Sequence, residues 1–189
     1  MDIDETLVLP RNTVHIRRSQ AADADRLLEA IQASMAQLEI WMPWAHPGYS
    51  LDDSVMWLEL CREGWENGKQ YSFIAVDVAT DEVLGDCSIS QINRMHGFAN
   101  LGYWVRSTAT SQGLGSALAR RVARFGVEEI RLNRLEILTA LGNGASQRVA
   151  EKAGATREGV LRSRLVERDK VLDATMFSLT ARDFGVEPS

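Results

Sequence analysis

Gly113 and Gly115 stand where an apolar run gives way to a helix-forming one, and that placing suits the holding of a phosphate. Leu101-Gly102-Tyr103-Trp104-Val105 has the composition of a buried strand, and a short polar loop follows it. The loop ends in Gln112-Gly113-Leu114-Gly115 and passes straight into Ser116-Ala117-Leu118-Ala119. The first N–H groups of a helix have no partner inside it, and the helix dipole favours negative charge there. Glycines let the backbone approach a bulky anion with no Cβ in the way. The loop is not a Walker loop, because no Lys-Ser/Thr follows the second glycine. It is not the dinucleotide fingerprint either, because the third glycine is missing. Taken alone, Gly-x-Gly fits an ordinary strand–turn–helix as well as it fits an anion site.

A second polar cluster opens a later helix. Gly142-Asn143-Gly144 breaks the pattern, and Ala145 to Ala153 then reads as a short helix closed by Gly154. Asn143 is a favoured N-cap there, and Ser146 falls in the first turn. Earlier in the chain, Trp41-Met42-Pro43-Trp44-Ala45-His46-Pro47 makes a stiff aromatic loop. It is either a lid over one end of the core or one wall of a substrate pocket.

The elements that must position these groups follow from periodicity. Val14 to Arg18 alternates as a strand. Residues 22–37 carry Leu27, Leu28, Ile31 and Met35 at helical spacing. Residues 50–68 form a second helix, capped by Ser50 or Asp52 and ended by Gly68. Three strands joined by short turns are expected over 72–78, 83–92 and 99–105. A helix over 113–129, a strand over 134–139, the short helix, and a strand pair over 160–166 and 171–179 complete the order. Residues 1–12 are expected to be a loose arm. That order suits a mixed sheet with helices on both faces.

Composition excludes several classes. With 189 residues, 45% hydrophobic and 25% charged, the chain can fill one core, so a single domain over 1–189 is expected. A net charge of −5 argues against non-specific nucleic-acid binding and against a polybasic membrane anchor. The acidic start has no signal-peptide order and no apolar run spans a bilayer, so the expected location is the cytoplasm. Cys61 and Cys87 show neither a pairing pattern nor metal spacing, and are expected as buried free thiols.

The whole pattern from about Val14 to Phe184 resembles the GNAT superfamily of acetyl-CoA-dependent N-acetyltransferases, in its RimJ/RimL-like branch. The stretches that carry the resemblance are Leu101-Gly102-Tyr103-Trp104-Val105, residues 112–118 and Asn133-Arg134-Leu135-Glu136. With them go residues 143–149, Glu151-Lys152-Ala153-Gly154-Ala155 and Arg157-Glu158-Gly159-Val160-Leu161-Arg162. The resemblance implies an α+β fold with about seven mostly antiparallel strands, splayed between the fourth and fifth so that acetyl-CoA enters the cleft. Trp104 and Val105 would bond the pantetheine amides like an added strand. Gln112, Gly113, Leu114, Gly115 and Ser116 would hold the pyrophosphate. Asn143 would lie beside the pantetheine arm, and Ser146 would protonate the departing thiolate.

Two positions depart from the family pattern. Thr110 stands where Arg or Gln is usual, three residues before the first loop glycine. Asn100 stands where many relatives carry a Glu base, and Leu165 where some RimL relatives carry one. The base is therefore open among His96, His46, Glu39 and Glu59, or a water chain. No acyl-enzyme is expected, since neither cysteine sits on a motif position. The implied reaction is direct acetyl transfer to a primary amine, with a protein or peptide α-amine as the preferred acceptor and Trp41 and Trp44 beside it. A small-molecule amine acetylase and a non-catalytic CoA-binding module are the alternatives. No metal, nucleic acid or membrane is implied, and a homodimer is plausible from family habit.

Overall fold

The computed structural model describes residues 3–188. In chain order they form β1 (Asp4–Val8), β2 (Thr13–Arg18), α1 (Ala24–Trp41), α2 (Leu51–Glu66), β3 (Tyr71–Asp77), β4 (Val83–Asn93) and β5 (Phe98–Val105). Then come α3 (Leu114–Glu128), β6 (Arg134–Ala140), α4 (Gly144–Lys152), β7 (Thr156–Glu167) and β8 (Lys170–Thr180). The strands are hydrogen-bonded in the order β1-β2-β3-β4-β5-β6-β8-β7. This is a mixed α+β fold with one parallel pair, β5 with β6, in a mostly antiparallel sheet.

One expectation fails at the N-terminus. The loose arm of residues 1–12 instead contains β1, which pairs antiparallel with β2 from Asp4↔Arg17 to Val8↔Thr13. The turn closes through the Leu9 amide on the Asn12 carbonyl at 2.8 Å, and the Asp4 carboxylate meets the His15 ring. Ile3, just before the strand, is fully buried. An edge strand pairs through its backbone, so its acidic composition concealed it. The sheet therefore has eight strands, and the strands read as fourth and fifth from the sequence are β5 and β6.

Two compact units divide the contacts: residues up to 88 with 103–115, and residues 89–102 with 116 onward. In the first, α1 buries Leu27, Ala30, Ile31 and Leu38 in a cluster with Ile74, Val76, Val83 and Trp104. Helix α2 adds Leu58 to it and starts at a capping box, in which Ser50 Oγ accepts from the Asp53 amide and Asp53 accepts from the Ser50 amide. Trp65 sits edge-on to Tyr71 and Phe73, with the Arg18 guanidinium 4.5 Å above its ring.

In the second unit, the start of the parallel pair is fixed by a tight contact. The Gly97 carbonyl accepts from the Asn133 amide at 2.7 Å and the Arg134 amide at 3.2 Å. Gly97 has a left-handed φ of +64°, and a Cβ there would lie 2.8 Å from Asn133 Nδ2. From this point β5 and β6 register over three residues only, Phe98↔Arg134, Ala99↔Leu135 and Asn100↔Glu136. Strand β6 pairs with β8 along its whole length, Arg134↔Thr180 to Ala140↔Ala174. The same strand is thus fully held on one side and held over less than half its length on the other.

Gly97→Ala combines the left-handed strain with the clash against Asn133. It should lower stability by about 2 kcal/mol in urea unfolding, whereas Gly102→Ala, where a Cβ meets nothing closer than 3.7 Å, should cost less.

Candidate functional site

In the first unit, the residues after β5 are anchored onto α1. The Arg106 amide donates to Leu84 O at 2.8 Å, and its buried guanidinium forks onto both carboxylate oxygens of Glu29. Ser107 follows, its amide on Ser34 Oγ at 3.0 Å and its hydroxyl on Ala33 O at 3.1 Å. Thr108 Oγ1 accepts from Arg106 Nε, Thr110 Oγ1 donates to Ser107 O, and Gln112 Nε2 donates to Thr108 O. Thr110, the departure from the family pattern, is thus a strut that ties the loop to itself. Ser111 and Gly113 have left-handed φ values of +60° and +88°, and no atom lies within 4 Å of the place a Gly113 Cβ would occupy. Backbone of alternating hand ahead of a 15-residue helix is the geometry of an anion-binding concavity.

The aromatic residues of this unit divide. Trp41 is the last residue of α1 and half-buried. Trp44 is 40% exposed, with its ring 6.0 Å from Tyr49 and 6.5 Å from Trp104. Around it Pro43, His46, Pro47 and Gly48 are all exposed. His46 lies 6.2 Å from the Tyr49 ring. Of the carboxylates considered as bases, Glu59 is committed to Arg62, which also holds Glu66 on the exposed side of α2. That hydrogen bond holds the Glu59 carboxyl below its ordinary value. Glu39 is half-buried near the end of α1.

Sequence reading passed over Asp86 on β4. Its carboxyl is buried, accepts one hydrogen bond, from Ser72 Oγ at 2.9 Å, and burial pushes its pKa up to about 7. Cys61 and Cys87 are buried free thiols, raised by the same lack of solvent. That suits packing better than nucleophilic chemistry.

The second unit holds Asn143 and Ser146. Asn143 Oδ1 accepts from the Ser146 amide at 3.0 Å, so Asn143 is the N-cap of α4. Ser146 is half-buried in the first turn. His96 is exposed in the β4–β5 turn, its amide on Asn93 Oδ1. Asn100 and Glu136 are the last registered pair of β5 and β6, so their side chains leave the sheet on one face. Arg134 donates through Nε to Glu136 at 2.8 Å and through both terminal nitrogens to Glu158 at 2.6 and 2.5 Å. Glu158 also accepts from Ser178 Oγ at 2.7 Å. The Arg134 hydrogen bonds outweigh burial and hold the Glu158 carboxyl down at about 2.

The family model for the acetyltransferase (GNAT) domain matches residues 13–156. The chain belongs to the GNAT acetyltransferase family. This GNAT chain is 28% identical over 178 residues to the "Putative ribosomal N-acetyltransferase YdaF" of Bacillus subtilis (strain 168), covering 92% of this chain and 94% of that one. Two solved structures share its fold. The ribosomal-protein-S5-alanine acetyltransferase of Vibrio fischeri superposes with a TM-score of 0.84 at 18% identity, over 95% of this chain and 98% of the other. RimJ of Mycobacterium smegmatis, in complex with CoA-disulfide, superposes with 0.82 at 24% identity, over 95% and 88%. As a GNAT enzyme the chain is an acyltransferase whose co-substrate is acetyl-CoA. Its features fit that molecule: the open backbone at Gly113 suits a pyrophosphate, and the end of the β5–β6 ladder at Asn100 leaves strand edge for an amide chain. Among the described residues no group of three or more His, Cys, Asp or Glu is placed to hold a metal, and no helix is long and apolar enough to cross a membrane.

Glu29→Ala would leave the buried Arg106 guanidinium with only the more distant Glu82 carboxylate, at 3.6 Å. Half of Glu29 is in water, so the stability loss should be only about 1 kcal/mol, yet the loosened loop should weaken CoA binding several-fold in calorimetry. The Arg106 hydrogen bond holds Glu29 below its ordinary pKa. The pair's contribution is therefore complete above about pH 4.3 and fades as pH falls through the lower folded value.

Proposed function

We propose that this GNAT enzyme acetylates the α-amine of a polypeptide. The observation that carries the reading is the open aromatic wall at Trp44, whose neighbours from Pro43 to Gly48 are exposed but for Ala45. A polypeptide needs such an open surface, whereas a small polyamine is best held in a closed pocket with paired carboxylates. The acidic side chains Glu59 and Glu66 on α2 are already taken by Arg62. The ribosomal N-acetyltransferase name of the 28%-identical Bacillus relative supports the same acceptor class.

In this reading the chain acts as one catalytic domain. The backbone of Trp104 and Val105 pairs with the pantetheine amides, and the amides of residues 112–116 hold the pyrophosphate at the start of α3. Acetyl-CoA supplies an activated acyl group as its thioester. Asn143 keeps the start of α4 in shape, and the Ser146 hydroxyl donates a proton to the departing sulfur. Trp41 and Trp44 flank the acceptor. The enzyme works in the cytoplasm as a homodimer, for which β7, an edge strand with Val160, Leu161 and Val166 exposed, is the candidate surface.

Thiol release from acetyl-CoA should be fast with basic peptides bearing a free α-amine. It should be at least tenfold slower with N-blocked peptides and with spermidine. Preference for spermidine would move the assignment to small amines, and tight CoA binding without turnover would make the chain a binding module. Ser146→Ala should lower kcat about 10- to 100-fold with little change in the KM for acetyl-CoA, read in the same assay.

A further inference from the structure

A primary α-amine has an ordinary pKa near 8, so about nine-tenths of it is protonated at pH 7 and must lose a proton before attack. Asn100 stands where the family resemblance leads one to expect a carboxylate, and its amide cannot take the proton. Strand pairing places another carboxylate beside it. Asn100 and Glu136 are registered partners on β5 and β6, and registered partners in a parallel pair share a face. They are also the last such pair, at the point where the ladder ends.

We propose that Glu136, from the neighbouring strand, receives the acceptor ammonium and takes its proton. The inference rests on the reading of this chain as an acetyltransferase of α-amines. Three observations carry it. The Glu136 side chain is mostly buried but 21% exposed, so it keeps an edge open to solvent. Arg134 meets only its Oε1, through Nε, and among the described residues Oε2 accepts no hydrogen bond. Arg134 is instead taken up by Glu158, which receives both terminal nitrogens, leaving Glu136 only part-neutralised. Finally, two residues beyond Asn100 on the same face is Gly102, where a Cβ would meet only Asn100 Nδ2, at 3.7 Å. That missing side chain leaves room beside the amide for a reacting group.

The proton and electron count closes. Glu136 accepts one proton from the ammonium, directly or through one water, and later returns it to solvent. The freed nitrogen lone pair forms the bond to the thioester carbonyl carbon, the carbon–sulfur bond breaks, and sulfur leaves with the pair. Nitrogen sheds its second proton through water to the Ser146 oxygen as the Ser146 hydroxyl passes its own to the sulfur, so the serine is restored and amide and free thiol result. Asn100, unable to take a proton, is placed to donate or accept a hydrogen bond beside the amine.

The test compares Glu136→Gln, Glu158→Gln and the double variant Asn100→Glu/Glu136→Gln with the intact enzyme, on the amine that the wild type turns over fastest. Glu136→Gln should lose about 100-fold in kcat/KM at pH 7, and its rate should keep rising with pH where the wild-type rate has levelled off. Its affinity for CoA should stay within twofold. Glu158→Gln should lower the melting temperature while keeping the wild-type pH profile. The double variant, which returns a carboxylate to the registered neighbour, should recover at least tenfold. A Glu136→Gln enzyme within threefold of wild type from pH 6 to 9 would overturn the proposal. So would a loss that follows melting temperature and leaves the pH profile unmoved. Failure of the acceptor reading shows elsewhere, as a wild type that prefers another amine, and the same variants then test Glu136 on that amine.

Discussion

Everything in this enzyme turns on a parallel strand pair that stops after three residues. β6 is held along its full length by β8, so it cannot follow β5 once the two diverge. A sheet interior normally satisfies each backbone amide and carbonyl with its neighbour, and leaving that ladder unfinished costs free energy unless something else supplies the partners. A ligand with amides along its length is suited to that role, which is how an interrupted ladder becomes a binding element. The interruption is built from ordinary parts. Gly97 and Asn133 crowd each other at the start and fix where pairing begins.

Each of the two units holds an arginine tied to carboxylates. Arg106 is forked onto Glu29 and ties the loop before α3 to α1. Arg134 is shared between Glu136 and Glu158, with Glu158 taking two contacts of three. Such pairs add little net stability by themselves, because desolvation offsets much of the attraction. Their value is positional: a guanidinium with three fixed hydrogen bonds leaves few rotamers to its neighbours. The Thr110 strut works in the same way, with a hydroxyl that holds the loop's own backbone.

The aromatic loop of the first unit is built differently. Trp44 leans on Tyr49 and Trp104 with edge and tilted ring contacts, so an exposed loop is given a firm aromatic floor. Elsewhere in the same unit Asp86 and the thiols of Cys61 and Cys87 are buried, and burial raises the pKa of each above its ordinary value.

By itself the sequence determined the helices and most strands, because apolar spacing and caps such as Ser50 and Asn143 are local properties written within a few residues. It determined the family too, since the order of its motifs is a property of the chain alone, and the family match spans residues 13–156. It concealed β1, whose acidic residues pair through the backbone and carry no core pattern of their own. Only the tertiary structure decided which carboxylate stands next to Asn100. Glu136 lies 36 residues further along the chain, inside a motif that read as a strand start, and nothing local marks it. Register between strands is fixed by long-range backbone pairing, so side chains distant in sequence become neighbours only once the sheet has formed.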